Sequence, residues 1–283
     1  MTCEKFRVSI MFQPATELMM TTQPLLFLEN IRKSFGAIEA LRDVSFSVGR
    51  GEVVALLGDN GAGKSTLVKM ISGGLEPSGG RILFDGEERT FRSPLEAKKA
   101  GIETVYQDLS LCTNVDVVAN FFMGREITKK VFGIPVLDEK TMAERTAKAI
   151  SDAGTRIPSL KVNVEHLSGG QRQAIELNRF VYFGGKLVLL DEPFAALGVE
   201  QTRRGLEMIR RVSDQGIGVI IITHIMQQAF MVADRIVVLR QGTVAGDVAT
   251  SKTNPDDVIQ MITGENIANL SAYQRKEGQP RTV

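Results

Sequence analysis

The chain has 283 residues, enough to bury one large α/β core or a domain with an inserted subdomain. Charged residues make up 24% and the formal net charge is +1, so no strong field is available to hold nucleic acid or anionic lipid. Two cysteines, Cys3 and Cys112, argue against a disulfide framework and suit a reducing cytoplasm.

Residues 1–24 show no clean period and read as a flexible leader. Lys5 and Arg7 precede apolar residues interrupted at Ser9 and Gln13, which does not make a secretory signal. From Leu25 the pattern is that of strands: Leu25–Ile31, Ile38–Val48 and Val53–Leu57, separated by the turn signals Phe35-Gly36 and Gly49-Arg50-Gly51. The glycine-rich Gly58–Gly63 leads into a short helix, Lys64–Ser72, ended by Gly73-Gly74. Ile82–Phe84 with Asp85-Gly86 predicts a hairpin, and Ile102–Tyr106 a strand. Helical spacing marks Val115–Met123 and Asp138–Ala153, with Asp138 as N-cap. Two fully apolar runs, Leu187–Leu190 and Val219–Ile222, flank a helical Glu200–Val212, as buried parallel strands joined by a helix do. Both runs are far short of the ~20 residues of a transmembrane helix, so work at a membrane would require docking to another subunit. Strand-like Ile236–Leu239 and Val244–Val248 flank Gln241-Gly242. A final helix, Asn254–Thr263, has Asn254 as N-cap, Pro255 at its first position and Gly264 beyond its end, followed by a mobile tail over 265–283.

Gly58-Asp59-Asn60-Gly61-Ala62-Gly63-Lys64-Ser65-Thr66 satisfies G-x-x-x-x-G-K-[ST] between a predicted strand and a predicted helix. Glycines let successive N–H groups curl around an anion, and the following helix aims its positive end at the same place. Lys64 would reach the β- and γ-phosphates of ATP, and Ser65 would ligate Mg²⁺. Asp191 and Glu192 emerge from the end of an apolar strand, where α/β sheets place ligands. Alone, such a pair is as often a helix cap or a solvated turn. Beside a phosphate loop, Asp191 suits Mg²⁺ and Glu192 suits a general base acting on water.

Leu167-Ser168-Gly169-Gly170-Gln171 matches the signature motif of ABC ATPases word for word, and the chain resembles that family over about residues 25–264. Ser168 can cap a helix beginning at the glycines, giving a second set of N–H donors for a phosphate. The resemblance implies that Ser168, Gly169, Gly170 and Gln171 contact the ATP held by a second subunit. It also implies roles for Gln107 (Q-loop, on Mg²⁺ and water), His224 (the switch histidine at the γ-phosphate) and Phe35, 29 residues before Lys64, stacked on adenine. His166 receives no role. The implied architecture is an α/β, P-loop NTPase (RecA-like) core with an antiparallel β subdomain and an inserted helical subdomain over about 108–178.

Three classes within the family compete: an importer motor, an exporter motor, and a soluble ATPase of DNA repair or translation. Only 59 residues separate Gln107 from Leu167, too few for a repair-type coiled coil, and there is a single set of motifs. The phosphate loop, Leu111–Arg125 and Ala195-Ala196-Leu197-Gly198-Val199 are similar to the monosaccharide-uptake branch serving ribose, xylose or fructose. Membership would imply a homodimer with two competent sites on the cytoplasmic face of the membrane, integral membrane permease subunits, and indirectly a solute-binding protein, with no nucleic acid. Transport of another small polar solute, such as an amino acid, is the alternative. Two departures stand out: Phe194, where the family usually has Thr or Ser, and Glu176-Leu177-Asn178 after the signature.

Overall fold

The computed structural model describes residues 23–105, 111–152, 156–183, 185–194 and 198–264. Gln107, Ala195-Ala196-Leu197, most of the leader and the whole 265–283 tail lie outside the described residues.

The chain opens with β1 (Leu26–Phe35) and β2 (Ile38–Val48), an antiparallel pair in which Leu26, Leu28 and Ile31 face Leu41, Val44, Phe46 and Val48 in the core. Next come β3 (Val53–Leu57), α1 (Lys64–Ile71), β4 (Gly79–Phe84) and β5 (Glu87–Glu88). The β4–β5 turn is the expected hairpin: Asp85 and Gly86 have φ of 55° and 82°, the two left-handed residues of a type I′ turn. β2-β1-β4-β5 form one antiparallel sheet.

Further along lie α2 (Pro94–Ala100), β6 (Ile102–Val105), α3 (Val117–Phe122), β7 (Thr128–Val131), β8 (Ile134–Leu137), α4 (Glu139–Asp152) and α5 (Gly169–Tyr182). The helix expected over Val115–Met123 is shorter, because Asp116 Oδ1 accepts from Ala119 N at 2.8 Å and caps it there. Asp138 does start α4, accepting from Thr141 Oγ1 at 2.9 Å and from Thr141 N at 3.4 Å. Leu111, Val117, Phe121, Phe122, Met142, Val164 and Ile175 join in an apolar cluster of their own.

The chain closes with β9 (Leu187–Asp191), α6 (Val199–Asp214), β10 (Gly218–Ile222), α7 (Met226–Val232), β11 (Arg235–Arg240), β12 (Thr243–Ala249) and α8 (Pro255–Thr263). The second sheet has the order β12-β11-β3-β10-β9-β6, parallel except for the edge strand β12. Its central strands are buried on both faces, which explains their unbroken apolar sequences. Alternate residues divide between two cores. Val54, Leu56, Leu189, Ile220 and Ile222 pack toward α1 and the antiparallel sheet, while Val53, Ala55, Val188, Leu190, Val219 and Ile221 pack toward α6, α7 and α8.

Four elements escape the sequence reading for one physical reason, which is length. α2 and α7 span seven residues each, two turns, and the four-residue strands β7 and β8 are exposed throughout, so none develops a readable period.

Arg235 ties the sheets together. Its guanidinium donates to Glu52 Oε1 at 2.8 Å, to Asp247 at 2.8 Å and to the Ser47 carbonyl, linking β11, β12, β2 and the entry to β3. Two acids hold that guanidinium in a largely buried place, so Arg235→Ala strands both carboxylates; a loss of about 3 kcal/mol is expected in urea unfolding.

Candidate functional site

Strand register assembles the site. Ile222 of β10 pairs with Leu56 of β3 on one side and Asp191 of β9 on the other, so three neighbouring strands end level. Gly58 follows the first, Glu192 follows the last, and Thr223-His224 follows the middle one. β6 ends beside them, with Val105 on Leu190, and Gln107 belongs to the undescribed segment just after it.

The loop between β3 and α1 is held in shape from behind. A Cβ at Gly58 would overlap the Leu239 carbonyl oxygen, and one at Gly63 would stand 2.5 Å from Leu41 Cδ2 and 2.8 Å from Ala40 O. Both residues also have positive φ, 146° and 104°, so close approach and conformation demand glycine together. The β11–β12 turn adds a brace that sequence reasoning missed: Gly242 N donates to Ala62 O at 3.1 Å, and Arg42 N donates to Gly242 O at 2.7 Å. Asp59, Asn60, Gly61 and Ser65 remain exposed, Thr66 is half-buried, and Ala62 is buried. Lys64 curls over the loop, donating to Gly58 O at 2.6 Å and Asp59 O at 2.9 Å. Burial pulls its pKa down, while Glu192, Asp59 and Asp191 act in the opposite direction.

Asp191 and Glu192 differ in their surroundings. Burial raises the Asp191 pKa and Glu192 raises it further, while Lys64 and Lys69 oppose them. A carboxylate so placed gains from a nearby cation. Among the described residues no group of three or more His, Cys, Asp or Glu could hold a metal ion. Asp191 and Ser65, the described residues expected to ligate Mg²⁺, offer hard oxygens of the kind that would suit a divalent cation.

Glu192 has φ of 50°, left-handed for a residue with a Cβ, and its N–H donates to Ile222 O at 2.9 Å. Its Oε2 lies 2.7 Å from His224 Nδ1. The structure therefore brings Glu192, expected as the general base, beside His224, expected at the γ-phosphate. His224 is presented by a turn that sequence reasoning missed: buried Thr223 donates from Oγ1 to Gln228 Oε1 at 3.0 Å and accepts from Ile225 N at 3.1 Å.

Phe35 sits at the tip of the β1–β2 hairpin, 48% exposed, with Lys33 Nζ 5.4 Å from its ring centroid. It is not a core residue, the ordinary fate of Phe in a strand, and it belongs to the hairpin whose Leu41 packs on Gly63.

Ser168 begins α5 with a capping box. Gln171 N donates to Ser168 Oγ at 3.3 Å and Ser168 N donates to Gln171 Oε1 at 3.0 Å. Gln171 Nε2 reaches back to Arg156 O at 3.2 Å. Among the described residues no hydrogen bond or ion pair joins this segment to the phosphate loop or to Glu192; the structure does not bring it to those residues within one chain. Ser168→Ala should lower stability by about 1 kcal/mol, read as a shift in the unfolding midpoint. His166 is exposed, 3.5 Å from Glu165. Glu176 and Asn178 are buried in α5, Asn178 Nδ2 donating to Ala174 O at 2.8 Å.

Residues 41–195 match the family model described as ABC transporter. The chain is 44% identical over 252 residues to the xylose/arabinose import ATP-binding protein XylG of Sulfolobus acidocaldarius, covering 89% of this chain and 99% of that one. It is 40% identical to the fructose import ATP-binding protein FrcA of Rhizobium meliloti, covering 87% and 96%. Longer relatives, ribose import ATP-binding proteins, are matched over 51% of their length. Among solved structures, a nucleotide-free ATP-binding cassette from an ABC transporter superposes with a TM-score of 0.72 at 26% identity, covering 86% of this chain and 100% of that one.

Proposed function

Because the chain belongs to the ABC transporter family of ATPases, we propose that it hydrolyses ATP to drive import of a monosaccharide, as the motor subunit of an importer. The observation that carries the chemistry is the 2.7 Å approach of His224 to Glu192, level with a lysine-bearing phosphate loop.

In this reading the loop from Gly58 to Thr66 binds the phosphates of ATP, with Lys64 moving from its backbone carbonyls to the β- and γ-phosphates. Mg²⁺, when bound, neutralises phosphate charge, and Ser65 and Asp191, with Gln107, would hold it. Glu192 takes the proton of the attacking water as general base, and His224 orients that carboxylate and contacts the γ-phosphate. Phe35 stacks on adenine. Ser168, Gly169, Gly170 and Gln171 complete the site of a second copy, so that ATP closes a homodimer and its hydrolysis opens it. The helical part, about 108–178 within a 25–264 ATPase domain, transmits closure to membrane permease subunits, and a solute-binding protein delivers the sugar to them. No helix among the described residues is long and apolar enough to cross a membrane, so attachment to the cytoplasmic face would run through those subunits.

Affinity purification of this chain from its native membrane tests the assembly. Stoichiometric recovery of integral membrane subunits supports it; recovery of DNA-repair or ribosomal components in their place contradicts it.

A further inference from the structure

We propose that Phe194, seated on Gly205, is a positioning residue that holds the Glu192 turn in the conformation from which Glu192 meets His224. The proposal rests on the reading of Glu192 as general base. Phe194 is 2% exposed and belongs to the same apolar cluster as Leu206 and Ile209 of α6 and Ala229 and Val232 of α7. Gly205 lies inside α6, where glycine is a poorer helix former than alanine. A Cβ there would overlap Phe194 Cε1 and stand 2.9 Å from Cζ and 3.2 Å from Cδ1. The ring thus rests on bare helix backbone, and the missing side chain is what makes room for it.

The seat matters because of what lies two residues earlier. Glu192 holds a left-handed backbone, a conformation that persists only where the surroundings over-determine it. One restraint is its N–H on Ile222 O at 2.9 Å, and a second is its carboxylate on His224. Pro193, with φ fixed by its ring, connects Glu192 directly to the buried Phe194, which supplies the third. The aromatic ring touches no reacting atom and acts through Glu192.

Four full-length proteins test this: the wild type, Gly205→Ala, Phe194→Thr and the double variant, with Glu192→Gln as control. Gly205→Ala is expected to lower Tm, against its helix propensity, and to raise it in the Phe194→Thr background where the ring is gone. Each single variant is expected to lose about tenfold or more in kcat, with KM for ATP within about twofold, measured well below Tm. Phe194→Leu, which keeps an apolar anchor, should recover most of that rate. Gly205→Ala raising Tm in both backgrounds overturns the seat. Wild-type kcat in both single variants, or a loss confined to KM, overturns the positioning role. If Glu192→Gln itself turns over at the wild-type rate, positioning and base assignment fall together, and the Tm reversal alone still reports the seat.

Discussion

Glu192→Gln is expected to bind ATP normally, to lose turnover by at least about a hundredfold, and to accumulate as an ATP-bound dimer on a sizing column. The amide keeps the size and one acceptor of the carboxylate, so the turn and the hydrogen bond from Glu192 N to Ile222 O are undisturbed. What disappears is the group able to take a proton from water, 2.7 Å from His224. Binding energy from the phosphate loop is retained, so closure proceeds and the cycle stalls before the γ-phosphate is released. Turnover at the wild-type rate would mean that the base lies elsewhere.

Lys64→Ala is expected to fail earlier, with ATP binding or turnover reduced by about a hundredfold or more. Lys64 is held over the loop by Gly58 O and Asp59 O, within the field of Glu192, Asp59 and Asp191. Removing it takes away the larger of the two cationic influences, Lys64 and Lys69, that offset the charge of Glu192 at Asp191, and leaves the incoming phosphates facing two carboxylates. The two variants separate by step: radiolabelled ATP retained by Glu192→Gln and not by Lys64→Ala is the expected pattern. Near-normal hydrolysis by Lys64→Ala would remove the loop from the mechanism.

The parts of the site legible in the sequence are those whose chemistry is local. A glycine-rich loop with Lys64 between a strand and a helix, and a serine cap ahead of a helix beginning at glycines, need only neighbours in the chain; the structure shows Ser168 capping α5 and adds Gln171 to close a capping box. Asp191 and Glu192 were readable because four apolar residues lead into them. The convergence of Glu192 with His224 was not, since it depends on β10 lying between β3 and β9 in register. The same holds for the brace from Gly242 to Ala62, whose partners are 180 residues apart in the chain. Phe194 stood out in the sequence as a departure, but its fit to Gly205 became visible only when α6 was laid beside the turn. Short elements were lost for a simpler reason: α2, α7 and the β7–β8 hairpin are too brief to display a period.

The most direct measurement of the central claim is ATP hydrolysis by this protein purified together with its membrane subunits, with and without a monosaccharide-loaded binding protein. Hydrolysis that rises only when the sugar is present, and that disappears in the Glu192→Gln complex, is the predicted result. Hydrolysis indifferent to sugars but raised by another solute, by DNA or by ribosomes would contradict it.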